Sequence, residues 1–163
     1  MARLSAGLLL YRRRDPALEV LLVHMGGPFW RNKDAGAWSI PKGEHAESEE
    51  SLSAARREFA EETGLPAPRG KPIDLGVVRQ SGGKLVRVWA FEADLDVARI
   101  TSNTFELEWP PRSGQLARFP EVDRAEWFDL PRAREKLVSG QRPFLERLQE
   151  RRRDAPPTDS AGG

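Results

Sequence analysis

Glu58, Glu61 and Glu62 stand three and four residues apart, the spacing that puts side chains on one face of a helix. Carboxylates crowded in this way repel, by roughly a few tenths of a kcal/mol per pair. A divalent cation reverses the sign of that effect. Mg²⁺ prefers hard oxygen ligands, keeps several waters and completes its shell with substrate phosphates. The chemistry open to such a face is metal-assisted work on phosphates. The plainer alternative is a solvated acidic helix, because Glu favours exposed helical positions on propensity alone. What decides between the two is the pattern around the three acids.

That pattern runs Gly43, five residues, Glu49, seven residues, then Arg57-Glu58-Phe59-Ala60-Glu61-Glu62-Thr63-Gly64-Leu65. It resembles the Nudix signature, Gly-x5-Glu-x7-Arg-Glu-aliphatic/aromatic-x-Glu-Glu-x-Gly-aliphatic, with every specified position filled. Seven fixed identities make chance agreement on the order of 10⁻⁹ per starting position. The resemblance implies that Glu58, Glu61 and Glu62 hold one or more divalent cations, Mg²⁺ with Mn²⁺ as a substitute. It also implies that Glu49 and Arg57 form an orienting salt bridge. Gly43 lacks a Cβ, so the backbone there admits close approach of a metal or phosphate. The implied reaction is hydrolysis of a phosphoanhydride, in which metal ions neutralise the oxygens and acidify water. Glu58 or Glu62 serves as the base, or a glutamate outside this segment does.

Glu121 is the outside candidate. It precedes Trp127 by six residues, a spacing common in the diadenosine-tetraphosphate-hydrolase-like branch of the family. The competing reading is an ordinary loop carboxylate.

Substrate signals flank the acidic segment. Trp38-Ser39-Ile40-Pro41-Lys42-Gly43 is similar to the Trp-x-x-Pro-Lys-Gly approach of diadenosine-polyphosphate and diphosphoinositol-phosphate hydrolases, and it places Lys42 beside the metal loop. Dinucleotide hydrolases carry His directly after that glycine, whereas this chain has Glu44 there and His45 next. Trp30 and Lys33, in Phe29-Trp30-Arg31-Asn32-Lys33, offer a platform for a base and its phosphates, or else pack beneath their loop. Trp109 and Arg112 either close over a substrate or make a structural Pro-Pro corner. His24 reads as a core or edge histidine.

The elements that must position these groups are legible in outline. Ala6–Tyr11 and Leu18–His24 read as strands, with a turn across Arg12-Arg13-Arg14-Asp15-Pro16. Trp38–Ile40 is extended before Pro41, and a polar loop leads to a helix from about Glu49 to Thr63. Ser48 is placed to cap that helix, while Leu52, Ala55 and Phe59 give it a stripe to bury. Gly64 and Pro66 stop it. Ile73–Gln80, Lys84–Asp94, Thr104–Trp109 and Ala125–Phe128 read as strands, and Leu130–Val138 and Pro143–Arg153 as helices. The resemblance implies an α/β fold, an α/β/α sandwich around a mixed β-sheet. We expect one Nudix domain over residues 1–153 and a disordered tail over 154–163.

Composition limits the partners. The chain has 163 residues, 26 Lys+Arg against 25 Asp+Glu, and no cysteine, which rules out thiolate metal sites and a Cys nucleophile. With a net charge of +1, the runs Arg12–Arg14 and Arg151–Arg153 read as solvated surface, so no nucleic-acid partner is expected. No run is long enough for a signal core or a membrane span, and a cytoplasmic location fits. The expected partner is a small phosphoanhydride: a dinucleoside polyphosphate, then a nucleoside triphosphate. The alternatives are a diphosphoinositol polyphosphate and a Nudix-fold nucleotide sensor without turnover.

Overall fold

The computed structural model describes residues 3–14 and 17–154. Its centre is a seven-stranded mixed sheet. Strands β1 (Leu4–Arg14), β2 (Ala17–Met25), β3 (Trp38–Ser39), β4 (Lys42–His45), β5 (Ile73–Arg79), β6 (Leu85–Glu92) and β9 (Val122–Asp129) form it. The main order is β3-β2-β1-β6-β5, with β4 also pairing β1 and β9 also pairing β2. β1 and β6 run parallel, and the other pairs are antiparallel. Strands β7 (Thr104–Glu108) and β8 (Leu116–Pro120) make a separate hairpin.

Side-chain alternation along β1 divides the interior into two layers. Ala6, Leu8 and Leu10 face helix α1 (Ser51–Thr63), whose Ala54, Ala55 and Phe59 are fully buried. Leu9 and Tyr11 face the other way, toward Ala133 of α2 (Leu130–Lys136) and Phe144, Leu145 and Leu148 of α3 (Pro143–Asp154). The sandwich expected from the acidic signature is therefore the observed architecture. Burying a ring such as Phe59 stabilises by about 1.5–3 kcal/mol, which anchors the helix that carries the acids.

Several local expectations change. α1 begins at Ser51 with Glu50 at its N-cap, so Ser48 does not cap it and Glu49 precedes the helix rather than opening it. Glu49 instead closes a turn, its N–H donating to the Ala46 carbonyl at 3.1 Å, and its carboxylate goes to Arg57. The polar stretch read as loop contains β4, which borrows its register from β1 through Ala6 opposite Gly43. Arg12–Arg14 belong to β1, where Arg12 and Arg14 pair with Glu19 and Asp94. The expected turn residues Asp15 and Pro16, and residues 155–163 of the expected tail, lie outside the described residues. Asp154 itself closes α3. Among the described residues, no helix is long and apolar enough to cross a membrane.

The approach to the acidic segment is held from behind by one buried side chain. Gln141 is 2% exposed; its Oε1 accepts from the Ile40 N–H at 2.8 Å and its amide donates to Ser39 Oγ at 3.0 Å. Gln141→Leu leaves the Ile40 N–H unsatisfied in the core. We expect Tm to fall by roughly 2–10 °C in thermal denaturation, the equivalent of about 1–3 kcal/mol.

Candidate active site

Glu58 lies over the backbone of β4. A Cβ built on Gly43 would fall inside the Glu58 carboxylate, so the missing side chain makes room for an acid of the protein itself. Glu62, one turn further along α1, accepts the Lys42 N–H on Oε2 at 3.2 Å. Two acids of the helix are thus fixed against two consecutive residues of β4. Gly43→Ala must push Glu58 away, and we expect turnover to drop about 10–100-fold while circular dichroism stays native.

Arg57 organises the outer side. Its Nε and Nη2 grip both oxygens of Glu49 at 3.0 and 2.9 Å, a bidentate pair. Its Nη1 also donates to Glu58 Oε1 at 2.8 Å and, more weakly, to Glu61 Oε2 at 3.5 Å. The guanidinium therefore ties the loop residue Glu49 to both outer acids of the helix.

Glu121 arrives from the other end of the chain. Its N–H donates to the Asn103 carbonyl at 2.8 Å and its carbonyl accepts the Gly26 N–H at 2.9 Å. Asn103 N–H in turn donates to the Glu61 carbonyl, and Thr101 N–H to the Thr63 carbonyl. Segment 101–103 thus closes the C-terminal end of α1 and carries Glu121 beside it. Gly26 is required by close approach, since a Cβ there would collide with the Pro120 carbonyl.

The electrostatics report how tightly the acids are gathered. Burial, then the charges of Glu58 and Glu121, push the Glu62 carboxyl up to about 8, against the opposing Lys42 N–H. Glu58 is raised by burial and by Glu61, although Arg57 pulls it down. Glu121 remains exposed as a residue, yet desolvation of its carboxyl and the charges of Glu58 and Glu61 raise it too. These are hard oxygen donors held together against their mutual repulsion, a set that suits a divalent cation. Among the described residues no three His, Asp or Glu side chains are gathered in a geometry that could hold a metal ion as they stand, and Arg57 keeps Glu58 and Glu61 turned toward itself.

Lys42 and Lys84 supply the positive charge nearby. Burial first, and then the adjacent Lys84 ammonium, lower the Lys42 pKa. Lys84 was not singled out in the sequence. It reaches this place because Leu4 pairs both with His45 of β4 and with Leu85 of β6. The other substrate candidates sit apart. Trp30 is half-buried against the core on the α2/α3 side, with the Lys33 ammonium 5.3 Å from its ring centroid. Arg112 is at the exposed tip of the β7–β8 hairpin with a φ of 63°.

His24 holds the loop that carries Trp30 and Lys33. It is fully buried, with Nδ1 2.8 Å from Asp123 Oδ1 and Nε2 2.7 Å from the Lys33 carbonyl. It therefore ties this loop to the start of β9, two residues from Glu121.

The sequence profile of the NUDIX domain matches residues 1–148, which contain every acid of this cleft. The chain belongs to the Nudix family. Solved Nudix structures share its fold at low identity. One is a C. elegans Ap4A hydrolase in a binary complex, with 20% identity and a TM-score of 0.62, covering 93% of this chain and 99% of that one. Another is the NUDIX domain of Shewanella oneidensis NrtR complexed with ADP ribose, also at 20% and 0.62, covering 93% and 88%. A Nudix hydrolase from M. smegmatis, RenU, is 23% identical with a TM-score of 0.58, covering 93% and 87%. Among curated proteins, an octanoyltransferase of Myxococcus xanthus is 29% identical over 133 residues, 82% of this chain. The Nudix chain described here spans about a third (32%) of that relative's length.

Proposed function

We propose that this Nudix domain hydrolyses a phosphoanhydride bond in a nucleoside-diphosphate-linked substrate, with a dinucleoside polyphosphate favoured over a nucleoside triphosphate. The observation that carries this reading is the convergence of Glu58, Glu62 and Glu121 beside Gly43 and Lys42. Glu58, Glu61 and Glu62 would hold the divalent cation, Mg²⁺ or in its place Mn²⁺. When bound, that ion neutralises phosphate oxygens and acidifies water. Arg57, fixed by Glu49, positions Glu58 and Glu61. Lys42 and Lys84 offset the charge of the substrate phosphates. Glu121, the least buried of the three raised carboxyls, takes the proton of the attacking water, a role that benefits from a pKa above the ordinary carboxylate value. Both arginine runs are engaged locally: Arg12 and Arg14 in ion pairs, and Arg151 with the Asp74 carbonyl. This is consistent with a small-molecule substrate and not a nucleic acid.

The test is turnover in ¹⁸O-labelled water with Mg²⁺, across nucleoside triphosphates, dinucleoside polyphosphates, nucleotide sugars and diphosphoinositol phosphates. The expected result is label in a phosphate product, greatest for a dinucleoside polyphosphate. Tight nucleotide binding without any product would replace this reading with that of a sensor.

A further inference from the structure

The β7–β8 hairpin belongs to neither core layer. Its register places Phe105 opposite Phe119 and Leu107 opposite Ala117, and these four, with Trp109 just beyond β7, are all half-buried. Glu106, Glu108, Leu116 and Arg118 are exposed. A two-stranded ribbon is marginal in water unless something packs on its apolar side. Here the partner is the loop after β2. The Phe105 ring lies against Gly27, and Phe29 meets Trp109 edge-on, with centroids 5.6 Å apart and planes at 82°. Phe29 nonetheless stays 59% exposed.

Three features make this aromatic pair more than loop packing. First, the hairpin is rooted in the acidic cleft, because Asn103 bonds both the Glu61 carbonyl and the Glu121 N–H, and Ser102 Oγ accepts the Val122 N–H. Second, cations stand close to the pair along the chain, Arg31 two residues after Phe29 and Arg112 three after Trp109. Among the described residues Arg31 and Arg112 make no ion pair, and the Lys33 ammonium lies over the Trp30 ring. An open aromatic face beside unpaired cations suits a ligand that is flat, aromatic and anionic. Third, Trp109 is six residues up the ribbon from Asn103, at most on the order of 20 Å at about 3.3 Å per residue. A ligand touching both ends needs a chain of phosphates and sugar between its scissile bond and its base.

We propose that Phe29 and Trp109 form a nucleobase-stacking site, flanked by Arg31 and Arg112, for the distal nucleoside of a dinucleoside polyphosphate. The site deepens the hydrolase reading and rests on it for the position of the scissile bond. It also relocates base recognition from Trp30, which packs on the core, to its neighbour Phe29.

Phe29→Ala and Trp109→Ala are each expected to raise KM for diadenosine tetraphosphate about 10–100-fold, the usual scale of one lost base stack, with kcat within about twofold. Trp109→Phe retains most of the affinity. Leu116→Ala, on the opposite side of the same hairpin, leaves both constants unchanged and shows that the ribbon tolerates truncation. KM for inorganic tripolyphosphate, which has no base, should not move. Unchanged KM for diadenosine tetraphosphate in both alanine variants, or equal rises for the two substrates, overturns the proposal. Calorimetric titration with ADP, with metal chelated, separates this site from the hydrolase reading. A wild type that binds ADP but cleaves nothing sinks hydrolysis and leaves the stacking site, provided Phe29→Ala weakens that binding at least tenfold. No ADP binding by the wild type, or undiminished binding by Phe29→Ala, overturns it. Phe29 is in an exposed loop, so this variant still reports if Trp109→Ala fails to fold.

Discussion

Glu58→Gln and Glu62→Gln are each expected to lower kcat by about 10²–10⁴-fold, with a far smaller change in KM. Each substitution keeps the shape of the side chain and removes one charge from the cluster proposed to hold a cation. Glu58 sits over Gly43 and Glu62 is bonded to the Lys42 N–H, so an amide at either place remains in position but ligates poorly. Glu61→Gln tests the same idea from outside. Its side chain is 43% exposed and leans toward Arg57, so metal affinity should suffer before kcat does. Steady-state kinetics over a Mg²⁺ titration separates the cases. Wild-type rates in Glu58→Gln and Glu62→Gln at saturating metal would remove these acids from the reaction.

The second large effect concerns stability and has an unusual sign. Burial and the neighbouring carboxylates push the Glu62 carboxyl up to about 8 in the folded chain, from the ordinary value of 4.5. A carboxyl whose folded pKa is raised contributes stability that is fully present below its unfolded pKa and is lost as pH rises through its folded pKa. The metal-free protein should therefore lose several degrees of Tm between pH 5 and pH 8.5, and the raised Glu58 and Glu121 carboxyls act in the same direction. Mg²⁺ should reverse the trend if, as proposed, it binds the ionised cluster in the native state only. At a hundred times its Kd it would add about 2.7 kcal/mol. Glu62→Gln should flatten the metal-free slope and blunt the Mg²⁺ gain. Differential scanning fluorimetry across pH, with chelator or Mg²⁺, reads all three. A metal-free Tm that rises steadily from pH 5 to 8.5 would contradict this picture of the cleft.

The acidic segment was legible because its chemistry is local: one helix, one preceding loop, and spacings that place acids on one side and Phe59 on the other. Its end was equally legible. Gly64 adopts the left-handed conformation and donates its N–H to the Ala60 carbonyl at 2.8 Å. The beginning was less so, since Ser48 has the right side chain for a cap while Glu49 is drawn to Arg57 eight residues on. β4 carries no alternation at all in Lys-Gly-Glu-His, and its register comes from β1. Lys84 meets Lys42 only because β1 pairs with β4 on one side and β6 on the other, a relation that no spacing along the chain encodes. Glu121 showed a spacing to Trp127, but the hydrogen bonds that deliver it run through Asn103 and the carbonyls of α1. The hairpin was half seen: Thr104–Trp109 read as a strand, while β8, five residues exposed at alternate positions and ending in Pro120, offered little to read.

Glu58, Glu61 and Glu62 are proposed to hold the divalent cation on which turnover depends. Mn²⁺ binding followed by electron paramagnetic resonance, alongside hydrolysis of diadenosine tetraphosphate in the same samples, tests this most directly. The expected result is saturable Mn²⁺ binding that tracks turnover in the wild type, with both lost in excess chelator and both weakened in Glu62→Gln. Full turnover in excess chelator, or Mn²⁺ binding unchanged by Glu62→Gln, would contradict it.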